Sequence, residues 1–140
     1  MKMERNANVE RGWPYDGSLD RNEAIKTGTT LSNGDWVAKQ SDNTVDLVGA
    51  TKTSAAGLVI IGNGDSGSAA YTKKAVVLWG NFIVETKNLP VGVTFTPGAA
   101  LCVQNGKLQL ATGTDPIIGY VLDVIASSTT TDASIVAKIN

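Results

Sequence analysis

Histidine is absent from this chain of 140 residues. Histidine is the commonest general base in enzymes, a frequent zinc ligand and the base of the serine and cysteine hydrolase triads. The chain also has no glycine-rich phosphate loop between a strand and a helix, and no carboxylate pair in an acid–base context. We therefore expect no enzymatic activity, no cofactor and no metal.

Cysteine and long apolar runs are also scarce. Cys102 is the single cysteine, so an intramolecular disulfide is excluded, and its place in the alternating run 101–103 predicts a half-buried structural thiol. No apolar run approaches the roughly 18 residues of a membrane helix, and no charged-then-apolar leader is seen, so neither a membrane span nor a secretory signal is expected. The net charge of −1 gives no electrostatic reason to expect nucleic acid or an anionic membrane as a partner.

Charge is unevenly distributed along the chain. Ten of the 25 charged side chains lie within residues 1–26, together with all three arginines, Arg5, Arg11 and Arg21. After Lys87 charged residues are sparse. Such a charge-poor body is typical of a protein whose surface is partly covered by neighbours.

The clearest structural signal is the pair Asn105-Gly106, which separates two alternating runs, 99–104 and 107–112. Asn-Gly readily takes the positive φ angles of a type I′ turn, so these runs predict a β-hairpin. Pro116 then opens a further apolar run to Asp123, which predicts a buried strand.

The same pattern occurs twice, about 60 residues apart. Residues 31–38 align with 95–102, residues 45–47 with 108–110, and residues 57–60 with 119–122. A single repeat of this length is too short for a solenoid, which needs several stacked units. We therefore expect an all-β fold, a compact β-barrel or β-tulip-like domain over residues 29–140, built from duplicated units at about 29–79 and 93–140.

Further strands are predicted on either side of the repeat. Residues 36–38 and 44–48 flank a turn at Ser41-Asp42-Asn43, whose side chains favour left-handed backbone. A calcium loop using Asp42, Asn43 and Asp46 is the alternative, but the glycine and terminal glutamate of such loops are missing. Strands are also expected at 55–61, 74–79, 82–85 and 135–137.

The sequence Gly64-Asp65-Ser66-Gly67-Ser68 resembles the nucleophile segment of trypsin-like proteases. A serine nucleophile needs a base to accept its proton, and the chain has no imidazole. Lys73 or Lys74 is the alternative base, but nothing in the sequence buries either one to lower its pKa. This motif therefore predicts a loop, not a catalytic site.

Residues 1–28 show no sustained periodicity, which is typical either of a frayed terminus or of an extended N-terminal arm that orders on a partner, and the arm is the prediction taken here. Residues 20–26 allow one helical turn, with Asp20 as its N-cap and Glu23 three residues later. Trp13 and Tyr15 flank Pro14 in this polar segment, a pattern that suits aromatic anchors on a partner.

These repeated phrases resemble those of the capsid decoration proteins of tailed phages, also called cement proteins. The resemblance covers roughly residues 29–125 and rests on Leu31-Ser-Asn-Gly-Asp-Trp-Val-Ala, Ala55-Ala-Gly-Leu-Val-Ile, the run from Ala75 to Glu85, and the hairpin and strand from Pro97 to Leu122. The family's contacts are not a motif, so no binding residue is transferred from it.

The resemblance implies a homotrimer that binds the major capsid protein on the outer surface of the capsid, and that is present in the host cytoplasm during assembly. Alternatives are another virion component (tail, neck or fibre protein) and a carbohydrate-binding module using Trp36, Trp79 or Tyr120. These three aromatic residues are more simply interpreted as core residues, because each lies in an apolar strand. We expect the capsid or partner contact to use arm residues: Arg11, Trp13, Pro14, Tyr15 and Arg21.

Overall fold

The computed structural model describes residues 7–11, 19–65, 73–125 and 133–140. Within these ranges the chain is all-β, as predicted, and contains no helix. The described strands are β1 (Ala7–Arg11), β2 (Leu19–Ile25), β3 (Trp36–Lys39), β4 (Thr44–Leu47), β5 (Gly57–Ile61), β6 (Lys74–Trp79), β7 (Phe82–Thr86), β8 (Ala100–Gln104), β9 (Lys107–Leu110), β10 (Gly119–Ile125) and β11 (Ser134–Ile139).

Two sheets make up the domain. Strands β2, β4, β3, β5 and β6 form a closed barrel in that order. The other strands form a six-stranded sheet in the order β1-β7-β11-β10-β8-β9. Every strand pair is antiparallel except β2 with β4, which is parallel and closes the barrel.

The internal duplication predicted from the sequence is present, with matching registers. Val37 of β3 lies opposite Gly57 of β5, and their equivalents, Leu101 of β8 and Gly119 of β10, face each other in the same way. A shift in register interrupts the pairing of β5 with β6, and the same irregularity recurs at the same place between β10 and β11. These strand pairs therefore match residue for residue in the two units.

The repeat is longer than predicted, because β2 and β7 belong to it. Strand β2 pairs with β6 in the barrel, and β7 pairs in the same antiparallel sense with β11, the equivalent of β6. The units are thus residues 19–79 and 82–139, each with five strands, and they are called the first and second unit below. The sequence did not show this extension, since β2 carries charged residues where β7 is apolar.

Loop hydrogen bonds repeat as well. The N–H of Gly34 donates to the carbonyl of Val59 at 2.9 Å, and the equivalent Gly98 donates to Val121 at 2.8 Å. Both glycines have positive φ, 96° and 86°, a conformation that other residues rarely adopt. The aligned glycines in the sequence therefore mark the same turn in both units.

The units differ in closure. In the first unit the N–H of Lys26 donates to Val45 of β4, next to the parallel pairing that closes the barrel. In the second unit the N–H of Leu89 donates to Lys87 instead, and Pro90 has no N–H to offer. The second unit stays open between β7 and β9, and β1 pairs with the free edge of β7.

Two hydrophobic clusters follow from this arrangement. One fills the barrel of the first unit and consists of Leu31, Val37, Val45, Val59, Ala75 and Val77, with Ile25 and Trp79 partly buried beside it. The other lies where the outer face of the barrel packs into the open second unit. It joins Trp36, Leu58 and Leu78 of the barrel to residues of the second sheet.

Trp36 is at the centre of this joint. Its side chain is fully buried and stacks on Phe82 of the second unit, with ring centroids 6.2 Å apart and an interplanar angle of 16°. Its backbone N–H donates to Gly106, at the tip of the second unit's hairpin. The prediction that Trp36 is a core residue is confirmed.

Residues 1–28 need a correction, because the two described parts of the predicted arm lie in the sheets. Strand β1 pairs with β7, and β2 is part of the barrel. The helical turn predicted at 20–26 is wrong for the same reason. Arg21 and Glu23 lie opposite the barrel-core residues Val77 and Ala75, so their side chains begin on the inner face of a strand. Because both residues are charged, the sequence does not show the apolar alternation that usually marks such a strand.

Both predicted turns are confirmed. Asn105 and Gly106 have φ angles of 52° and 71°, as a type I′ turn requires. Asn43 has φ 70°, and the side chain of Asp42 accepts hydrogen bonds from Thr44. The run after Pro116 is only partly the buried strand that was predicted, since β10 alternates between buried and exposed side chains.

Candidate functional site

The outer side of β10 carries the main exposed apolar side chains of the second sheet. Tyr120 is 43% exposed and Leu122 is 49% exposed, with Ile125 further along the strand and Ile117 just before it. These four residues are called the β10 face below. The prediction that Tyr120 is a core residue is wrong, because its side chain lies on the outer side of the strand and is 43% exposed.

The equivalent face of the first unit is covered. Leu58 holds the position of Tyr120 and is fully buried, and Ile60 holds the position of Leu122 and is partly buried in the same cluster. The second unit supplies that cover, since both residues pack in the cluster that joins the units. Among the described residues, the same face of the same fold is therefore buried between the units in the first unit and partly exposed in the second.

The barrel mouth is a second candidate site. Arg21 and Glu23 of β2 and Lys39 of β3 lie opposite core residues of the barrel, so all three side chains begin on its interior side. Glu23 is only 2% exposed. Its carboxylate pairs with Arg21 Nε at 3.3 Å through one oxygen and with Lys39 Nζ through the other.

A cavity of about 290 Å³ lies at this mouth and is lined by the three charged residues and Trp79. The ring of Trp79 packs over Gly57, where an added Cβ would come within 2.8 Å of the ring. The indole N–H of Trp79 is buried and has no hydrogen-bond partner in the described part of the chain. Trp79 is thus only partly the core residue that was predicted.

The sequence-predicted contact residues are not brought together. Trp13, Pro14 and Tyr15 lie outside the described residues, between β1 and β2. Arg11 ends β1, opposite Ile83 in the six-stranded sheet, whereas Arg21 is at the barrel mouth. The side chain of Arg21 is 58% exposed, so its predicted role in a surface contact stays a prediction.

The protease-like segment has a structural role in its described part. The carboxylate of Asp65 accepts the backbone N–H groups of Gly62 and Asn33, and so ties the loop after β5 to the loop before β3. The side chain of Asn33 extends this link by accepting the N–H of Ala7 and donating to Ile60. Ser66 and Ser68 lie outside the described residues.

Other sequence-level candidates have structural explanations. Asp46 pairs with Lys26 and accepts from Thr29, so it does not converge with Asp42 on a calcium site. Cys102 is fully buried, more so than predicted, and burial raises the pKa of its thiol, which keeps it unreactive. In the described ranges no group of three or more Cys, Asp or Glu residues is placed to hold a metal, and no helix is long and apolar enough to cross a membrane.

Comparison with protein-family models, with curated proteins and with solved structures finds no match to this chain.

The sequence singled out Arg21 and Trp79 for separate roles, but it did not show that they meet Glu23 and Lys39 at the barrel mouth. One signal could have indicated it: Arg21 and Glu23 alternate with other residues as in a strand, and the equivalent positions of β7 are the uncharged Val84 and Thr86. It was overlooked because interior strand positions were expected to be apolar.

Proposed function

We propose that this chain is a virion structural protein, which decorates the outer surface of a tailed-phage capsid and stabilises it by bridging capsid subunits. The observation that carries the proposal is the β10 face: exposed apolar side chains on a rigid sheet, at positions that the first unit buries in a protein interface. Contiguous exposed apolar side chains on a folded domain mark interaction surfaces. The resemblance of residues 29–125 to decoration proteins supports the same function.

The β10 face is assigned to a second copy of this chain within a homotrimer. Within one chain, the outer face of β3, β5 and β6 already packs against another unit of the same fold. The equivalent face of β8, β10 and β11 has Ala100, Tyr120 and Lys138 at the positions of Trp36, Leu58 and Leu78, so Tyr120 lies between a small residue and a lysine, with Leu122 further along β10. A cyclic oligomer then adds modest capsid contacts by avidity, because each further contact is intramolecular.

The major capsid protein is the proposed external partner, and the capsid exterior is the proposed location. The segment with Trp13, Pro14 and Tyr15 remains the proposed anchor. Deleting residues 1–26 would not test that anchor alone, since the deletion also removes β2 and opens the barrel. Substituting Trp13 and Tyr15 by alanine is the cleaner test.

The test is co-sedimentation with empty shells of the virus that encodes the chain. Wild-type protein is expected to pellet saturably with the shells, and the double variant Trp13→Ala/Tyr15→Ala to pellet less. Ser41→Glu, in the exposed turn between β3 and β4, is the matched control and should pellet like wild type. A wild-type chain that stays in the supernatant with intact shells contradicts the proposal.

A tail, neck or fibre protein is the competing function, and the folded domain alone does not distinguish it. Labelling of intact virions with an antibody against the chain separates the two. Label over the whole head is the expected result, and label restricted to the tail or neck would replace the decoration proposal with its competitor.

A further inference from the structure

The mouth of the first unit's barrel holds three charged side chains at positions where the second unit has none. At the positions of Arg21, Glu23 and Lys39 the second unit has Val84, Thr86 and Val103, all fully buried. Apart from the β2–β4 pairing that closes the barrel, both units keep the same strand order and register with these different residues. The charged cluster is therefore a feature of the first unit alone.

Such a cluster is an unfavourable choice for stability. Taking charged groups out of water costs several kcal/mol per ion, and replacing a buried ion pair by apolar residues is often neutral or stabilising. Glu23 is almost completely buried, and the exposed ends of its two partners lie at the cavity. The residues are thus better explained by what they bind than by what they stabilise.

The cluster has a surplus of positive charge. One carboxylate faces one guanidinium and one ammonium group, so the three side chains sum to a single positive charge. Arginine and lysine at a partly dry site bind carboxylates through charge-assisted hydrogen bonds. The ring of Trp79 supplies an apolar wall to the same cavity.

We propose that the barrel mouth is a binding site for a small carboxylate, whose negative group contacts Arg21 and Lys39 and whose ring-sized body packs against Trp79. The cavity of about 290 Å³ lies at the lower end of the range for small-molecule sites, which limits the ligand to about one ring. Glu23 holds the two cations in place and makes the site selective for a single negative charge. The site is separate from the β10 face and does not depend on the decoration proposal.

Aromatic acids and sugar acids share this chemistry, so the experiment includes both. The probes are benzoate and glucuronate, with benzyl alcohol and glucose as their uncharged counterparts. Binding is followed by the shift of the Trp79 indole N–H signal in nitrogen–proton NMR spectra, assigned with Trp79→Phe. A saturable shift with a Kd near or below about 1 mM is expected for at least one acid, and none for its uncharged counterpart.

Two variants distinguish binding from a structural role. Lys39→Met removes one cation and should weaken acid binding at least about tenfold, while Lys74→Met, on an exposed position of the same barrel, should not change it. The triple variant Arg21→Val/Glu23→Thr/Lys39→Val installs the residues of the second unit. It should fold with an unchanged or higher melting temperature and lose binding.

The proposal is overturned if neither acid shifts the Trp79 signal at concentrations of tens of millimolar, which are more than about ten times the largest Kd expected. It is equally overturned if the uncharged counterparts bind as well as the acids, or if the folded triple variant still binds them. Should the triple variant fail to fold, Lys39→Met and Lys74→Met still test the proposal. Equal acid binding by these two variants overturns it.

Discussion

The first unit encloses Arg21, Glu23 and Lys39 in a closed barrel, whereas the second has apolar or small residues at the same positions and stays open. The outer faces differ in the reverse sense. The first unit buries Leu58 against its neighbour, and the second leaves Tyr120 exposed. One five-stranded plan thus supports a charged barrel mouth with a covered outer face in the first unit, and apolar or small residues at the same positions with a partly exposed outer face in the second. The shared strand order determines which positions face inwards, and the residue at each position determines whether it packs in a core, forms an ion pair or is exposed.

The largest expected loss of stability comes from substitutions in the packing interface between the two units. Trp36→Ala leaves a large cavity where the barrel meets Phe82, and should lower the free energy of unfolding by about 3–5 kcal/mol. Chemical denaturation measures this loss. Trp36→Phe is the control, since it keeps a ring and removes an indole N–H that no described residue pairs with, and it should cost clearly less. Equal losses for the two variants would show that Trp36 does not join the units by packing.

The equivalent residues Leu58 and Tyr120 test the difference between the two outer faces. Leu58→Ala should cost about 2–5 kcal/mol, because this side chain is fully buried. Tyr120→Ala should cost the monomer clearly less, about 1–1.5 kcal/mol, because the side chain is half-buried and alanine is a weaker strand former. Thermal or denaturant unfolding at low protein concentration gives both values. A large loss for Tyr120→Ala in the monomer would mean that the β10 face is covered within the chain.

The equivalent glycines Gly57 and Gly119 sharpen the comparison further. A Cβ at Gly119 would lie 2.0 Å from the carbonyl oxygen of Lys138, and a Cβ at Gly57 would meet the side chains of Val77 and Trp79. Backbone yields less readily than side chains, so Gly119→Ala should cost more than Gly57→Ala, within or somewhat above the usual 1–3 kcal/mol for overpacking. Paired denaturation curves measure the difference. The reverse order would contradict the register of β10 against β11.

The smallest effect concerns Asp35, whose equivalent in the second unit is Ala99. Burial raises the pKa of Asp35, and the nearby charge of Asp65 adds to the rise, against a hydrogen bond from Ser32 and the charge of Lys107. A carboxyl with a raised pKa contributes stability that is complete below its unfolded value of 3.8 and is lost as the pH rises through the folded value. Asp35→Asn should therefore gain stability relative to wild type as the pH increases from about 3 to about 7.

Asp42→Asn is the control for that pH series. Hydrogen bonds from Thr44 lower the pKa of Asp42, so the ionised carboxylate stabilises the fold above its unfolded pKa. This variant should lose stability relative to wild type over the same pH range. Curves with the same sign for Asp35→Asn and Asp42→Asn would contradict the burial assigned to Asp35.

Local sequence signals predicted most of the fold. The Asn105-Gly106 turn, the turn at Asn43 and the repeated glycines each require a backbone conformation that few residues adopt, so their positions were readable from the sequence. Strand β2 was missed, because the charges of Arg21 and Glu23 hide an interior strand face. Closure of the barrel and the stacking of Trp36 on Phe82 depend on contacts between distant segments, which no local pattern reports.

The candidate sites were less predictable than the strands. The exposure of Tyr120 and Leu122 depends on which face of β10 the barrel covers, and that is a property of how the two units pack. The barrel mouth joins Arg21 of β2, Lys39 of β3 and Trp79 of β6, which pairwise registers bring together. Only the duplication, by showing what the second unit has instead, identifies these residues as unusual.

The central claim, that the β10 face binds another copy of this chain, is tested most directly by the mass in solution from light scattering. Wild-type protein is expected to have a mass near three times 14.6 kDa, and Tyr120→Glu/Leu122→Glu to have the monomer mass with an unchanged melting profile at low concentration. The control Ser41→Glu should remain a trimer. A wild-type mass near 14.6 kDa at high concentration, or a double variant that still forms trimers, would contradict the account.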